Sequence, residues 1–381
     1  MKILCLLTVT ILMFIPRVGA QNPDCRQSWM PPDAPAFCAW DTEPAMPEAR
    51  TYPAVSASGK NIFVLGGFRY DSASGKVIYY DSVASSAIGA DGHLSPWKAE
   101  PPFKTARSGT AVAVSGSCLF MGGGSSSTVS SLNYYDDVQY SRIGADGHLS
   151  SWTTSPNHLI TARSNLSLIA VTTAQGTFLQ AVAGVAQIGA DTVHLDTIEV
   201  AKIGADCSVG AWATAVYHLK GGRSTPQALS VRNNAVVIGG WGDLDLIDVY
   251  GDVQTSAARA DGTPGPWRTS ATGLTTGIYG HATVIAEPQQ QPNPSVLLSA
   301  GGQPGTGAYA NWISYAYVLP GISLPDAIGI WRIAPTGKLP TGRAGLGAAQ
   351  VNARLYIFGG NDAAGKYYSD VVSARFDFGK P

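Results

Sequence analysis

The chain has 381 residues, of which 45% are apolar and only 13% are charged, with a formal net charge of −1. This balance offers no electrostatic footprint for nucleic acid or for an acidic membrane surface, and so many apolar residues exclude a disordered chain. Glycine contributes 44 residues, well above the usual share of about 7%. The composition therefore favours a turn-rich globular protein, either one large β-domain or two to three smaller domains.

The amino terminus is typical of a secretory signal peptide. Lys2 precedes an apolar run over residues 3–15, and the small residues Val18-Gly19-Ala20 follow it. A membrane anchor needs about 20 apolar residues, whereas Pro16 and Arg17 cut this run short. We therefore predict a signal peptide over residues 1–20, a secreted extracellular protein and no membrane anchoring.

Four cysteines follow the predicted cleavage point: Cys25, Cys38, Cys118 and Cys207. Cys25 and Cys38 lie in a proline-rich strap, residues 21–39, that needs anchoring, so we predict a disulfide between them. The sequence leaves the pairing of Cys118 and Cys207 open. Asn165 begins the one N-x-S/T sequon without an intervening proline and is a predicted glycosylation site.

A sixfold repeat organises the chain after residue 40. Short apolar runs end in Gly-Gly or a similar small pair, and the first small residue falls at positions 66, 122, 183, 239, 301 and 359. A second block ending in tryptophan recurs between them, most clearly as residues 88–97 and 143–152. An arginine follows most of these tryptophans after ten to twelve residues.

Each repeat contains four short β-like runs joined by Ser-Gly or Asp-Gly, which favour tight antiparallel hairpins. Four-stranded units at this period are typical of β-propeller blades. The sixth copy lacks its fourth strand, and the segment around Trp40 precedes the first inner strand. We therefore predict an all-β, six-bladed propeller over residues 40–381, closed by N- and C-terminal strands in one blade. In the second copy the predicted strands are 109–114, 117–121, 133–143 and 151–154.

The Gly-Gly endings, the runs Tyr79-Tyr80-Asp81 and Tyr134-Tyr135-Asp136 and the later tryptophans resemble the kelch motif. This resemblance implies a kelch-type propeller, a fold that serves adhesion modules, protein-recognition modules and enzymes alike. In length, signal peptide, sequon and six-blade layout the chain also resembles the secreted fungal hetero-Diels–Alderases of tropolone–sesquiterpenoid biosynthesis. That resemblance implies a cofactor-independent cycloaddition between a tropolone quinone methide and an apolar small molecule, a humulene-type terpene.

Blade geometry predicts where a site lies, because the residues after each Gly-Gly and those before each inner strand converge at one mouth of the central channel. Features that recur in every blade are predicted to be structural, so chemistry is expected where one blade departs from the repeat. In the fifth blade, the pattern of residues 107–110 becomes Ile278-Tyr279-Gly280-His281. Tyr279 and His281 are two apart on one predicted strand and are expected to face the channel. A phenol and an imidazole there supply acid, base or carbonyl-polarising chemistry; a His281 that lines the channel, bonded to backbone or water, is the alternative.

Arg69 is the third predicted catalytic residue, as the sole strong cation expected at the mouth. Aromatic loop residues are expected to wall an apolar pocket, although loop aromatics that only cover the core are an alternative. No spacing of His, Cys and Asp predicts a metal site, and no metal or other cofactor is expected. The predicted substrate-binding residues are Tyr52, Phe68, Tyr70, Ser108, Ser164, Trp241, Gln303 and Asn361.

Two other functions stay open on the sequence. A sugar enzyme of the sialate-mutarotase type needs a carboxylate near an arginine at the mouth, and Asp362 with Arg69 is the sole combination available. A glycan- or protein-binding kelch module needs only an exposed face and no chemistry.

Overall fold

The computed structural model describes residues 25–128, 131–242, 248–288 and 294–378. The predicted signal peptide and the first residues of the predicted strap lie outside the described residues. No helix in the described part of the chain is long and apolar enough to cross a membrane. The strands, in chain order, are β1 Ala36–Phe37, β2 Asp41–Glu43, β3 Ala54–Ser58, β4 Asn61–Leu65, β5 Phe68–Asp71, β6 Lys76–Tyr79, β7 Val83–Ala87, β8 Lys98–Glu100, β9 Ala111–Ser115, β10 Cys118–Gly122, β11 Ser125–Ser127, β12 Leu132–Tyr134, β13 Val138–Arg142, β14 Thr153–Thr154, β15 Ser167–Thr173, β16 Gly176–Val182, β17 Val185–Ile188, β18 Asp191–His194, β19 Ile198–Lys202, β20 Ala213–Thr214, β21 Gln227–Val231, β22 Asn234–Ile238, β23 Val253–Ala257, β24 Arg268–Thr269, β25 Ile278–Tyr279, β26 Ala282–Ala286, β27 Ser295–Ala300, β28 Gln303–Pro304, β29 Ile313–Val318, β30 Arg332–Ile333, β31 Gly347–Val351, β32 Arg354–Phe358 and β33 Val371–Asp377.

Six antiparallel sheets form the blades of a propeller, five of them with four strands and the sixth with β1 as a fifth strand. From the inner to the outer strand, they are β3-β4-β7-β8 (blade 1), β9-β10-β13-β14 (blade 2), β15-β16-β19-β20 (blade 3), β21-β22-β23-β24 (blade 4), β26-β27-β29-β30 (blade 5) and β31-β32-β33-β2 (blade 6). The six inner strands contact one another in sequence, and β31 contacts β3 to complete the ring. The predicted all-β fold with six blades is confirmed.

Both ends of the described chain close blade 6. Strand β2 pairs with β33 in the register Asp41↔Ser373, and β1 pairs with the end of the same strand at Ala36↔Asp377. The N-terminal segment thus supplies the outer strand that the sixth repeat lacks, as predicted, and covers an edge that would otherwise be open.

Two disulfides are formed. Cys25 bonds to Cys38 within the predicted strap, as expected from the sequence. Cys118, at the start of β10, bonds to Cys207 in the turn between β19 and β20, and so joins blade 2 to blade 3. Both bonds are compatible with an extracellular protein.

The structure of blade 2 differs from the prediction in one strand. The sequence predicts a single strand over 133–143, whereas the structure contains β12, which pairs with β11 in a separate hairpin, and then β13. Between these two strands lie two residues that contact a buried arginine. The Arg107 guanidinium lies 3.9 Å from the centre of the Tyr135 ring and forms an ion pair with Asp137.

The recurring arginines are structural, as predicted, but each side chain binds within its own blade. All five are at most 1% exposed: Arg50, Arg107, Arg163, Arg223 and Arg343. Arg107, for example, donates to the carbonyl oxygen of Gly123 as well as to Asp137. Blade 5 replaces this ion pair with apolar residues, Ile278 in place of the arginine and Trp312 in place of the aspartate.

The backbone, in contrast, links neighbouring blades. The second residue of each Gly-Gly pair donates its N–H to the carbonyl oxygen of the arginine, or of Ile278, in the next blade. These bonds span 2.8–3.0 Å at all six seams: Gly67 to Arg107, Gly124 to Arg163, Gly184 to Arg223, Gly240 to Ile278, Gly302 to Arg343 and Gly360 to Arg50. In blade 2 the pair is therefore Gly123-Gly124, one residue later than the position 122 predicted from the repeat.

Candidate functional site at the channel mouth

The structure confirms that the two segments predicted to form the mouth meet in every blade. In each blade, the residue directly after the recurring arginine, or after Ile278 in blade 5, pairs with the residue that follows the Gly-Gly pair. The next residue along the chain leads into the inner strand. The six pairs are Thr51↔Phe68, Ser108↔Ser125, Ser164↔Val185, Ser224↔Trp241, Tyr279↔Gln303 and Ala344↔Asn361.

Below this mouth the channel narrows at a ring of six residues with left-handed backbone conformation, which we call the neck ring. Its members have φ between 48° and 61°: Tyr52, Gly109, Asn165, Thr225, Gly280 and Gly345. Backbone bonds run from member to member, for example from Tyr52 N–H to Gly345 O at 2.7 Å and from Gly345 N–H to Gly280 O at 2.8 Å. The ring lines a small cavity of about 90 Å³, and a channel of about 360 Å³ continues between the inner strands.

Tyr52 does not occupy the same position in its blade as the predicted binding residues Ser108 and Ser164. It is equivalent to Gly109 in the neck ring, and the two serines lie one position earlier in their blades. Both serines are buried, at 7% and 1% exposure, and Ser164 Oγ accepts a hydrogen bond from Ser125 Oγ at 3.0 Å. These two predicted binding residues therefore sit beneath the mouth surface.

Asn165 is part of the neck ring, and this placement matters for its predicted glycosylation. Its backbone N–H donates to Gly109 O, and its side chain lies within 2.4 Å of where a Cβ on Gly109 would be. Its glycosylation stays a prediction, and a glycan on this residue would have to fill the neck or leave through the mouth.

His281 does not share a strand with Tyr279, which corrects the predicted fifth-blade pair. Gly280, with φ of +60°, separates β25 from β26, so the alternation of side chains is broken. The imidazole is 1% exposed and packs on blade 4, where a Cβ on Gly239 would lie 2.8 Å from its Cε1 atom. Leu166 and Leu346 make the same contact with Gly123 and Gly301 at other seams.

Neither ring nitrogen of His281 has a hydrogen-bond partner among the described residues. Burial without a partner disfavours the charged imidazolium, and it lowers the pKa of His281 from 6.5 to about 3. The residue touches the neck cavity but not the open mouth, so its environment is that of a packing residue with a neutral ring.

Aromatic rings form a curved wall above the neck ring, which we call the aromatic arc. On one side, Phe68 stacks on Tyr52 at 6.3 Å between ring centroids with an interplanar angle of 2°. Phe68 also contacts Tyr367 of blade 6 edge-on at 6.1 Å and Tyr79 at 5.9 Å. Tyr52 crosses the neck, since its hydroxyl lies 3.1 Å from where a Cβ on Gly280 would be.

On the other side of the arc, Trp241 of blade 4 contacts Tyr279 of blade 5, with ring centroids 5.6 Å apart. His194, from the β17–β18 hairpin of blade 3, meets the edge of Trp241 at 5.2 Å. The arc thus extends from blade 3 through blades 4, 5 and 6 to blade 1.

The phenols of Tyr52 and Tyr279 keep their protons. Burial is the main cause of a raised pKa at Tyr52, and the neighbouring phenols of Tyr279 and Tyr309 add to it. Burial likewise raises the pKa of Tyr279 to about 12, again with a contribution from Tyr309. At neutral pH these groups are neutral hydroxyls that can donate a hydrogen bond.

The sequence missed four members of this wall: Tyr79, His194, Tyr309 and Tyr367. All four lie in the loops that return from the Gly-Gly pair to the third strand of a blade. The loop residues predicted from the sequence directly follow the Gly-Gly pairs, whereas these four lie where the loops return to the blade, beside the same mouth.

Arg69 is not joined to Tyr279 or His281 by any contact among the described residues. Its guanidinium donates to Tyr80 Oη at 3.0 Å and pairs with Asp71 at 3.5 Å. Because side chains alternate along β5, Arg69 points away from the face that carries Phe68 and Tyr70. The predicted catalytic set of His281, Tyr279 and Arg69 is therefore not assembled as one cluster.

Asp362 has its own partners as well. Its carboxylate accepts from Tyr368 Oη at 2.7 Å and from the backbone N–H of Lys366 at 2.9 Å, and the Tyr368 bond is the main cause of its lowered pKa. No ion pair joins Asp362 to Arg69 in the described part of the chain. The carboxylate–arginine combination expected of a sugar enzyme is therefore absent from these residues.

The remaining predicted binding residues lie around the rim. Gln303 is half-buried and pairs with Tyr279 through the backbone. Asn361 accepts a hydrogen bond from Thr51 Oγ1 at 2.9 Å, and Tyr70 is 47% exposed at the blade 1 hairpin. No group of His, Cys, Asp and Glu residues that could hold a metal ion occurs within the described ranges.

A larger cavity, of about 830 Å³, lies on the opposite face of the propeller. It is bounded by the β31–β32 turn, by the Gly89–Gly92 turn of blade 1 and by Cys25 of the predicted strap. Its position beside the chain end distinguishes it from the mouth, where all six blades contribute.

Comparison with known proteins supports the propeller fold. No protein-family model and no curated protein sequence matches this chain. A solved structure described as "Structure of YjhT" aligns with a TM-score of 0.61 at 15% sequence identity, over 86% of this chain and 95% of that one. At this identity the likeness shows a shared fold, and the chain is a six-bladed β-propeller of that general architecture.

Proposed function

We propose that the mouth binds a largely apolar small molecule and catalyses an intermolecular hetero-Diels–Alder cycloaddition. The observation that supports this most is the aromatic arc, because its flat rings are combined with phenols that stay neutral at physiological pH. Tyr52 and Tyr279 both have raised pKa values. These two groups suit chemistry in which no proton has to be transferred.

A cycloaddition of this kind needs a diene and an alkene held face to face. One carbon–carbon bond and one carbon–oxygen bond form together, and no atom, proton or electron leaves the pair of reactants. Holding both partners in a reactive geometry replaces an encounter in solution, which is a source of acceleration that requires no covalent step. The rings of Phe68 and Trp241 offer flat apolar surfaces against which such partners can pack.

Hydrogen bonds to the heterodiene oxygen would add to this effect. A donor that meets the oxygen as negative charge develops there lowers the barrier, especially in a site shielded from water. The hydroxyls of Tyr52 and Tyr279 are such donors, since both are neutral and the Tyr279 phenol contributes to the raised pKa of Tyr52. The resemblance noted from the sequence suggests a tropolone quinone methide as heterodiene and a humulene-type terpene as partner.

The direct test is to incubate the purified secreted protein with both precursors and to compare adduct yield and stereochemistry with the reaction without protein. We expect faster adduct formation with one dominant stereoisomer. Tyr279→Phe removes a donor but keeps the ring, and should lower turnover by roughly two- to tenfold, the worth of one neutral hydrogen bond. The matched control is Tyr217→Phe, a tyrosine that is 38% exposed and whose carbonyl oxygen accepts a hydrogen bond from Trp267 rather than from a residue of the mouth. An unchanged rate and the same isomer mixture with and without protein would refute the proposal.

A binding module is the second candidate, and a specific observation favours it. Large apolar side chains are exposed on the mouth-face hairpins of three neighbouring blades: Tyr70 at 47%, Leu132 at 53% and Ile188 at 51%. Apolar side chains exposed in this way can serve recognition of a macromolecule. Tight binding to a glycan or protein array, abolished by Tyr70→Ser and unaccompanied by turnover of small molecules, would favour this function over the enzyme.

A further inference from the structure

The described part of the predicted strap lies on the face opposite the mouth, and its disulfide lies where two cavities meet. Cys25 lines the cavity of about 830 Å³ described above. It also lines a neighbouring cavity of about 590 Å³, together with Cys38 and Met30 of the same strap. The disulfide is therefore reached from a space large enough to hold a small thiol compound.

The two disulfides differ in how far a reagent can reach them. Cys118 and Cys207 are buried, at 6% and 0% exposure, and belong to the apolar core between blades 2 and 3. Cys25 and Cys38 are both half-buried and border the cavities. Because thiol–disulfide exchange requires a thiolate to reach one sulfur of the bond, the strap disulfide is the one that can react in the folded protein.

Closure of the ring does not depend on the strap disulfide. Strand β2, which completes blade 6, begins at Asp41 and so lies outside the loop between the two cysteines. Within that loop, Phe37 of β1 is 3% exposed and packs against Phe376 of β33, with ring centroids 5.2 Å apart. Cleavage of the disulfide would therefore leave β1 and β2 paired with β33.

The first residues of the strap are held differently, and the disulfide is their covalent anchor. Arg26 forms an ion pair with Asp377 of β33 at 3.1 Å, but the two side chains are 22% and 50% exposed, so this pair contributes little. Trp29 is 65% exposed, whereas the neighbouring Met30 is 6% exposed and forms part of the cavity wall. Without the disulfide, the chain would lose the bond that keeps Met30 against this wall.

We propose that the Cys25–Cys38 disulfide is a thiol-cleavable latch, which small thiols open in the folded protein to release residues 25–30 from the cavity wall. A thiolate attacks one sulfur, breaks the S–S bond and forms a mixed disulfide, while the other sulfur leaves as a thiolate and takes up the proton that the reductant gave up. A second thiol then displaces the bound cysteine, so that two protein thiols form and the reductant is oxidised to its disulfide. The latch and the mouth lie on opposite faces, so this inference is independent of the proposed function.

The first experiment measures which disulfide reacts in the folded chain. The full mature protein is treated with dithiothreitol without denaturant, and samples taken over time are blocked with N-ethylmaleimide and mapped by mass spectrometry. We expect Cys25 and Cys38 to be labelled roughly a hundredfold faster than Cys118 and Cys207, because exchange at the buried disulfide has to wait for a local opening. Equal rates for the two disulfides, or no labelling without denaturant, would overturn the proposal.

The second experiment measures whether the cleaved latch uncovers the cavity wall. In the double variant Cys25→Ser with Cys38→Ser the latch is permanently open. We expect hydrogen peroxide to oxidise Met30 in this variant roughly tenfold faster than in the wild type, because oxidation of a thioether follows its exposure. An unchanged rate at Met30 would show that the strap stays in place without its disulfide, and would overturn the proposal.

Two controls separate release of the strap from a general loosening of the protein. Met46 is 4% exposed and packs in the core with β32 and β33, so its oxidation rate should stay at the wild-type value in the open-latch variant. The double variant Cys118→Ser with Cys207→Ser removes the other disulfide and should leave the rate at Met30 unchanged. Faster oxidation of Met46 in the open-latch variant, or an equal gain at Met30 in the control variant, would show that the strap disulfide stabilises the whole fold and is no latch.

Discussion

The buried imidazole of His281 makes a quantitative prediction about acid stability. In the folded chain its pKa is lowered from 6.5 to about 3 because it is buried without a charge partner. The unfolded chain therefore binds a proton on this residue at a higher pH than the folded chain does. The neutral His281 therefore makes its full contribution to the free energy of unfolding above pH 6.5. This contribution is lost as the pH falls from 6.5 towards 3.

The expected change in the free energy of unfolding follows from the difference between the folded and unfolded pKa values of His281. At about pH 5 the solution lies one and a half pH units below the unfolded pKa, and each unit is worth about 1.4 kcal/mol. His281 should thus lower the free energy of unfolding by about 2 kcal/mol between about pH 8 and about pH 5. Leucine is the natural replacement, because Leu166 and Leu346 fill the same seam position over Gly123 and Gly301.

The assay is urea unfolding of the wild-type chain and of His281→Leu at about pH 8, 6.5 and 5. Other acidic groups and histidines titrate in both proteins, so the difference between the two pH dependences isolates His281. We expect His281→Leu to gain about 2 kcal/mol relative to the wild type between the highest and lowest pH. Parallel pH dependences would show that His281 has a polar partner or reaches solvent, and would refute the reasoning.

Two further predictions concern the ring itself. Gly240→Ala should lower the free energy of unfolding by roughly 2–4 kcal/mol in denaturant titration, because its φ is +105° and its Cβ would lie 2.9 Å from Ser224 O. The control is Gly59→Ala, where φ is +57° and no atom lies within 4 Å, so this variant should lose roughly 1 kcal/mol. Equal losses in the two variants would contradict the argument that Gly240 is needed at the seam. Arg107→Met should cost roughly 3–5 kcal/mol by leaving the Asp137 carboxylate without its partner. Adding Asp137→Leu should recover part of that loss, as measured by a double-mutant cycle, and a simple sum of the two single losses would contradict the role of the ion pair.

The repeat carried most of the information about architecture, because each blade needs the same residues to make the same local structure. The Gly-Gly pairs, the arginines and the tryptophans recur where backbone conformation and burial demand them, so their count in the sequence predicts six blades. The missing fourth strand of the last repeat likewise predicted the closure by β2. The Cys25–Cys38 bond was predictable because both residues lie close together in one irregular segment.

The arrangement of the mouth could not be read from the repeat in the same way. Gly280 takes a left-handed conformation as a member of the neck ring, and this one residue turns His281 into a seam rather than towards the mouth. The seam, the neck ring and the aromatic arc all join residues from different blades, which lie about 40 or more positions apart in the chain. Such contacts have no signature in any single blade. They exist only once the ring has closed, so the identity of the wall residues, such as Tyr309 and His194, depends on how neighbouring loops meet in space.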